Sequence, residues 1–281
     1  VVCEYSNMME YIRRNMVDEV FVHLSSQTNL PINKIIKELE VMGVTVDLNI
    51  NVFEMEIPVQ REIERIGNYY TVSFSPKIHS FKQIFFKRVM DIVGAIVGLL
   101  ITGIVTVFLA PALLIESPGP LFFSQVRVGK NGRRFKIYKF RSMYMDAEER
   151  KKELMSQNEM EGLMFKMEND PRVTKVGKFI RKTSIDELPQ FWNILKGEMS
   201  LVGTRPPTED EFLQYEGYHR RRLNMTPGLT GLWQVSGRSD TKNFEEIVAM
   251  DVEYIDNWSL KEDIKILFKT VGVVLKGKGA S

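Results

Sequence analysis

Cysteine is nearly missing: Cys3 is the only one in 281 residues, so no intrachain disulfide can form and a reducing compartment is expected. Without a Cys/His cluster, a structural zinc site is excluded. No glycine-rich turn follows the first predicted strand, which argues against a dinucleotide site there. The chain opens Val1-Val2, with neither an initiator methionine nor a signal-peptide pattern, and is expected to be a fragment of a longer protein. Its net charge of +2 is too small for a general nucleic-acid binder, so any basic surface is local. The length leaves room for more than one domain.

Charge itself is absent between Ile92 and Ile115. As a helix that run would reach roughly 36 Å, enough to cross the hydrocarbon of a bilayer. Basic residues flank it on both sides: Lys82, Lys87 and Arg88 before it, then Arg127, Lys130, Arg133, Arg134, Lys136, Lys139 and Arg141 after it. A crossing helix carries its basic excess on the cytoplasmic side only. Positive charge at both ends therefore predicts a hairpin-like or re-entrant element at the cytoplasmic face of a membrane.

The remaining patterns predict a mixed α/β chain. Val20 to Leu24 reads as a strand, Ile32 to Met42 as a helix opened by Pro31 and stopped by Gly43, and Val44 to Ile50 as a second strand. That strand–helix–strand unit belongs to a parallel sheet, and the plain role of residues 1–75 is packing or dimer contact. Ser73 to Ser80 reads as a linker. Residues 81–120 form the membrane element, ended by Ser117-Pro-Gly-Pro120. Residues 121–281 form a mainly helical domain, with one helix over Thr174–Gly197, a basic stretch at Tyr215–Arg222, and helices near Phe244–Trp258 and Leu260–Lys276. The last of these edges an apolar helix with Lys261, Lys265, Lys269 and Lys276, which suits either a membrane interface or an ordinary surface.

Chemistry concentrates at Asp186-Glu187. Capping is the plain alternative, since Ser184 and Glu187 have capping-box spacing. Pro189 makes it unclean. With Ser184 as the cap it is the fifth helical residue, where its ring and missing N–H disturb the first turn. With Asp186 as the cap it is the third and offers the carboxylate no donor. A carboxylate pair can hold a hard cation, and an aspartate can attack phosphorus, provided cations offset the repulsion. Lys139, Arg141, Arg181, Arg205 and Arg238 are candidates, Arg205 being fixed by the prolines of Gly203-Thr-Arg-Pro-Pro207.

Six segments in order then resemble the bacterial sugar transferases, the monotopic phosphoglycosyl transferases, and in particular the larger enzymes that initiate capsule or exopolysaccharide repeat units. They are Phe86-Lys-Arg-Val-Met-Asp91, Ser117-Pro-Gly-Pro120, Lys136-Ile-Tyr-Lys-Phe-Arg-Ser-Met143, Arg181 through Gln190, Met199-Ser-Leu-Val-Gly-Thr-Arg-Pro-Pro207 and Pro227-Gly-Leu-Thr-Gly-Leu-Trp-Gln-Val-Ser-Gly-Arg238, with Asp251-Val-Glu-Tyr254 completing the set. The resemblance implies transfer of a hexose-1-phosphate, glucose or galactose, from a UDP-sugar to polyprenyl (undecaprenyl) phosphate, with release of UMP. By position Asp186 resembles the nucleophile that carries the phosphosugar. Glu187 resembles its partner, in a metal or proton-transfer role, and Mg²⁺ is the expected ion on both. Lys139, Arg141, Arg181, Arg205, Gln234, Arg238 and Asp251 match positions used around the substrates. The resemblance further implies that residues 1–75 are part of the Rossmann-like domain that precedes the catalytic region in the larger members. It also implies the inner face of the bacterial plasma membrane, lipid contact, a homodimer and no nucleic-acid partner.

One position departs from the family pattern. The Ser-Pro pair that breaks the membrane helix in relatives falls near Thr102-Gly103, where this chain has no proline; Gly103 or Pro111 would have to supply the bend. Two other functions fit only part of the sequence. A single-strand nucleic-acid surface over Arg127–Arg141 leaves Asp186-Glu187 and Gly203–Pro207 without a role, and an idle scaffold leaves the whole motif set unexplained.

Overall fold

The amphipathic pattern at Ile32–Met42 folds as predicted and organises the amino-terminal layer. The computed structural model describes residues 5–23, 31–49, 60–67, 69–75, 80–154, 158, 163, 167, 170–237 and 243–276. Helix α1 (Met8–Arg14) precedes strand β1 (Glu19–His23), helix α2 (Ile32–Met42) and strand β2 (Thr45–Asn49). On α2, Ile35, Ile36, Leu39 and Met42 fall on one buried stripe, and Gly43 ends the helix at φ 72°, a left-handed backbone that suits glycine. They pack against Val44, Val46 and Leu48.

β1 and β2 pair in parallel, as the strand–helix–strand reading requires. The sheet is nevertheless mixed, in the order β1-β2-β4-β3. Strands β3 (Gln60–Ile66) and β4 (Tyr69–Ser75) form a hairpin, and β4 runs antiparallel to β2. The predicted linker therefore starts too early, because Ser73 to Ser75 are paired inside the sheet.

Helix α3 (Phe81–Glu116) contains the charge-free run and continues without interruption through Thr102, Gly103 and Pro111. One stripe of it is buried: Lys87, Asp91, Ala95, Gly98, Thr102, Leu109 and Leu113. The other faces expose Val93, Val97, Leu100, Ile104, Val107 and Phe108. At Gly98 the helix packs directly on Phe191, whose ring a Cβ there would meet at 2.3 Å.

The charges at the start of α3 are placed differently from the expectation. Lys87 is buried, donating to Asp263 Oδ2 at 2.6 Å and to the Val202 carbonyl at 2.9 Å. Arg88 donates to the Ile194 and Leu195 carbonyls, both at 2.7 Å, and Asp91 accepts from Ser200 Oγ and the Leu201 N–H. These groups lock the helix to the protein; Lys87 and Asp91 are buried and not available as surface charge, while Arg88 is half-buried and Lys82 stays exposed. At the far end Glu116 accepts the N–H groups of Lys175 and Val176.

The rest of the chain forms the body beneath α3. A hairpin of β5 (Phe122–Val128) and β6 (Arg134–Phe140) is followed by α4 (Ala147–Leu154), α5 (Lys175–Lys182) and α6 (Gln190–Lys196). The single helix expected over Thr174–Gly197 has the right ends: Thr174 caps α5 and Gly197 stops α6 at φ 86°. Its middle is broken by a tight turn at Ile185–Glu187. Strand β7 (Ser200–Val202), α7 (Glu209–Leu213), β8 (Gly228–Thr230), α8 (Leu232–Gly237), α9 (Phe244–Asp256) and α10 (Leu260–Lys276) complete it. The basic stretch at Tyr215–Arg222 turns inward. Arg220 and Arg222 are each 1% exposed, and Arg220 donates to the carbonyls of Arg13, Asn15 and Val17, which seats the amino-terminal layer on the body.

Candidate active site

The turn between α5 and α6 owes its shape to two residues. Ser184 takes a left-handed backbone, φ 56° and ψ 18°, at a cost of about 1–3 kcal/mol for a side chain with a Cβ. That reversal ends α5 and starts a 3-10 turn over Ile185–Glu187. Pro189 then stands as the N-cap of α6, where a missing N–H costs nothing. Ser184 does precede the 3-10 turn, but its side chain makes no capping bond, and Asp186 and Glu187 lie within the turn, before α6 begins. Strain at a non-glycine residue beside buried carboxylates is a common mark of a functional site.

Lys139 faces this turn. On β6 it has the parity of the buried Phe135 and Ile137, so it points toward the body. Its Nζ is 2.8 Å from Glu187 Oε1 and 3.8 Å from Asp186 Oδ2. Asp186 is only 6% exposed. Asn193 fixes the strand that carries the lysine: its Nδ2 donates to the Lys136 carbonyl at 2.7 Å and its Oδ1 accepts the Tyr138 N–H at 3.2 Å. Reading the sequence missed Asn193; the signal was an amide on the buried face of α6, a position that demands partners. Thr102 of α3 also reaches the turn, donating to the Leu188 carbonyl at 3.2 Å.

Two cavities flank the turn. One, about 340 Å³, is bordered by Asp186, Lys139, Arg141, Arg181 and Arg127. The other, about 310 Å³, is bordered by Glu187 and Gln234 and otherwise mainly by aliphatic side chains. Gln234 Oε1 is buried there with no hydrogen-bond partner.

The predicted site residues divide accordingly. Asp186, Glu187, Lys139, Arg181 and Gln234 meet around the turn. Arg141 borders the first cavity, but its guanidinium also binds the carbonyls of Ser117 and Pro118, so it braces the exit of α3. Arg205 and Asp251 border neither cavity. Arg205 pairs with Glu211 at 3.1 Å. Asp251 is buried against Arg222 at 2.7 Å, and the same guanidinium donates to the Tyr215 hydroxyl. Burial raises the Asp251 pKa, and the Arg222 charge and hydrogen bond oppose the shift. Arg238 lies outside the described residues. Asp186 and Glu187 were also the predicted metal ligands. Among the described residues no cluster of three or more metal-binding side chains exists. Two carboxylates nonetheless fit Mg²⁺, which keeps several waters and takes further oxygens from substrate phosphates.

Chemically, the arrangement suits an anionic ligand carrying phosphorus. A carboxylate approaching a phosphate at 4 Å is opposed by about 4 kcal/mol at an effective dielectric of 20. Lys139, Arg181 and Arg127 around one cavity can offset that repulsion.

Comparison with known proteins agrees with this chemistry. Residues 82–277 match the family model described as bacterial sugar transferase. The chain is 51% identical over 266 residues to the galactosyl transferase CpsE of Streptococcus agalactiae, covering 94% of this chain and 59% of that protein. It is 46% identical over 200 residues to the undecaprenyl-phosphate galactose phosphotransferase of Salmonella typhimurium, covering 70% of this chain and 42% of that one. It is 41% identical over 198 residues to the exopolysaccharide production protein ExoY of Rhizobium meliloti, covering 69% and 87%. The chain thus spans about half the length of the two longer relatives.

Proposed function

The chain belongs to the bacterial sugar transferase family, and we propose that it moves a sugar-1-phosphate from a UDP-sugar to a polyprenyl phosphate at the cytoplasmic face of a membrane. The step would open assembly of a capsule or exopolysaccharide repeat unit. The observation that carries this proposal is the meeting of Asp186, Glu187 and Lys139 on one strained turn between a cationic and an apolar cavity.

In this mechanism an Asp186 oxygen attacks the phosphorus that bears the sugar, and the bond to the UMP oxygen breaks. Lys139 holds both carboxylates in place and offsets part of the charge gathering there, while Arg181 and Arg127 bind phosphate oxygens. The phosphosugar remains on Asp186 until an oxygen of the polyprenyl phosphate displaces the carboxylate. Phosphoryl transfer depends mainly on positioning and charge, which these residues supply. Mg²⁺ would sit on Asp186 and Glu187 together with the diphosphate, adding charge neutralisation when bound. The donor sugar is a hexose, with galactose first to test, because the names of two relatives above carry it.

The membrane reading draws on how α3 is held. Its start is tied to α10 and α6 through Lys87 and Arg88, its centre to the Asp186 turn through Thr102, and its end to α5 through Glu116. Sending either end across a bilayer would drag a charged body with it. A helix unbroken through Pro111 and held to one charged body along its length fits an element that sits in one leaflet without crossing, and its exposed apolar faces supply the lipid contact.

The test is release of UMP from a panel of UDP-sugars with polyprenyl phosphate present. Asp186→Asn should abolish release and the phosphosugar adduct on that peptide while leaving the protein membrane-bound. Turnover like the unaltered protein's in that variant would overturn the proposal.

A further inference from the structure

The apolar cavity has no part in the chemistry described so far, yet it opens within one residue of the proposed nucleophile. Glu187 and Gln234 border it, while Leu188, Phe191, Leu229 and Leu267 form much of its wall. Of its three threonines, Thr230 and Thr270 satisfy each other with Oγ1 atoms 2.8 Å apart, and Thr183 donates back to the Phe179 carbonyl of its own helix, so the wall is mainly hydrocarbon. Val271 and Val274 of α10 border the cavity and are also 57% and 40% exposed. The cavity is therefore continuous with the exposed apolar face of α10, where Phe268 is 75% exposed. At its inner end Gln234 keeps a buried oxygen without a partner. Turning that amide over would present two N–H donors instead.

We propose that this cavity is the seat of the acceptor: the isoprene units nearest its phosphate lie between α6, α8 and α10, while the rest of the chain stays in the bilayer. This rests on the transfer proposed above. Donor and acceptor then reach the turn from opposite sides, the nucleotide through the cationic cavity and the lipid through the apolar one. The acceptor phosphate comes to rest near Gln234, with Lys182 also at the cavity edge. One of its oxygens, already deprotonated in the dianion, attacks the phosphorus held by Asp186. A new P–O–P linkage forms, the bond from phosphorus to the carboxylate breaks, and its electron pair returns to the aspartate oxygen. A solvent-facing cavity would serve the nucleotide equally well. Only a lipid-linked acceptor accounts for a hydrocarbon wall that opens onto an exposed apolar helix.

Two measurements test this. Val271→Trp fills the cavity from a half-exposed position, so the core need not move. Its KM for undecaprenyl phosphate should rise about tenfold or more, while exchange of labelled UMP into the UDP-sugar without acceptor stays within about twofold. An equal loss in both, or no loss in either, overturns the proposal. In the unaltered protein, a photoactivatable group on the isoprene next to the phosphate should label α8 or Leu267–Val274. Labelling confined to α3 overturns it as well. If the unaltered protein exchanges no UMP with any UDP-sugar, the transfer itself is wrong and this assignment falls with it.

Discussion

Lys87 Nζ lies 2.6 Å from Asp263 Oδ2, and the two side chains are 9% and 0% exposed. The pair joins the second turn of α3 to the first turn of α10, two helices with exposed apolar faces. Asp263 also accepts from the Tyr254 hydroxyl at 2.7 Å and from Trp258 Nε1 at 3.1 Å, so its charge is well satisfied.

Removing one partner of such a pair strands the other away from water. Lys87→Met should cost about 3–5 kcal/mol. Asp263→Ala should cost at least as much, because it strands Lys87 and the two ring donors together. Thermal unfolding in detergent measures both; a loss below about 1 kcal/mol in each would mean that the pair does not hold the helices together.

Lys139 touches both carboxylates and is expected to act on the first half of the transfer. Lys139→Met should lower UMP release by about 10²-fold. KM for the UDP-sugar should change less than kcat, since the charge being offset grows during attack. A defect confined to KM would reassign Lys139 to ground-state binding.

The tethering of α3 predicts its topology. With Cys3 replaced by serine, single cysteines at Ser80 and Lys130 should both react with an impermeant thiol reagent from the cytoplasmic side of inverted vesicles. Reaction of the two from opposite sides would establish a true crossing.

Glu211 couples the Arg205 loop to pH. Burial raises its pKa, but the charges of Arg205 and Arg127 and hydrogen bonds from Arg205 and the Thr208 N–H outweigh burial and hold it below 4.5. A carboxyl depressed in the folded state adds stability above its unfolded pKa and loses it as pH falls through the folded one. Melting temperature should therefore drop below about pH 4.5 in the unaltered protein. Glu211→Gln should start lower and show a shallower fall, and parallel curves would show that Glu211 does not contribute.

Local structure was readable wherever neighbours in the sequence supply the cause. The apolar stripe of α2 with Gly43 behind it, the parallel β1–β2 pair, the limits Thr174 and Gly197, and helices α9 and α10 all follow from periodicity and caps. The β5–β6 hairpin was not recognised, since basic residues on its solvent side hide the alternation of Phe135 and Ile137. The pairing of Asp186, Glu187 and Lys139 was anticipated only as a collection of residue types.

By itself the sequence determined the charge-free segment, the carboxylate pair and the motifs that place the chain in its family, because these are properties of residue identity and short spacing. Only the tertiary structure decided which charges are spent internally. Lys87 and Arg88, which read as flanking charge, find partners more than a hundred residues away. Asp251 is buried against Arg222, twenty-nine residues away in the chain. A buried ion is stable only when a partner reaches it, and which partner does so is set by how distant segments pack.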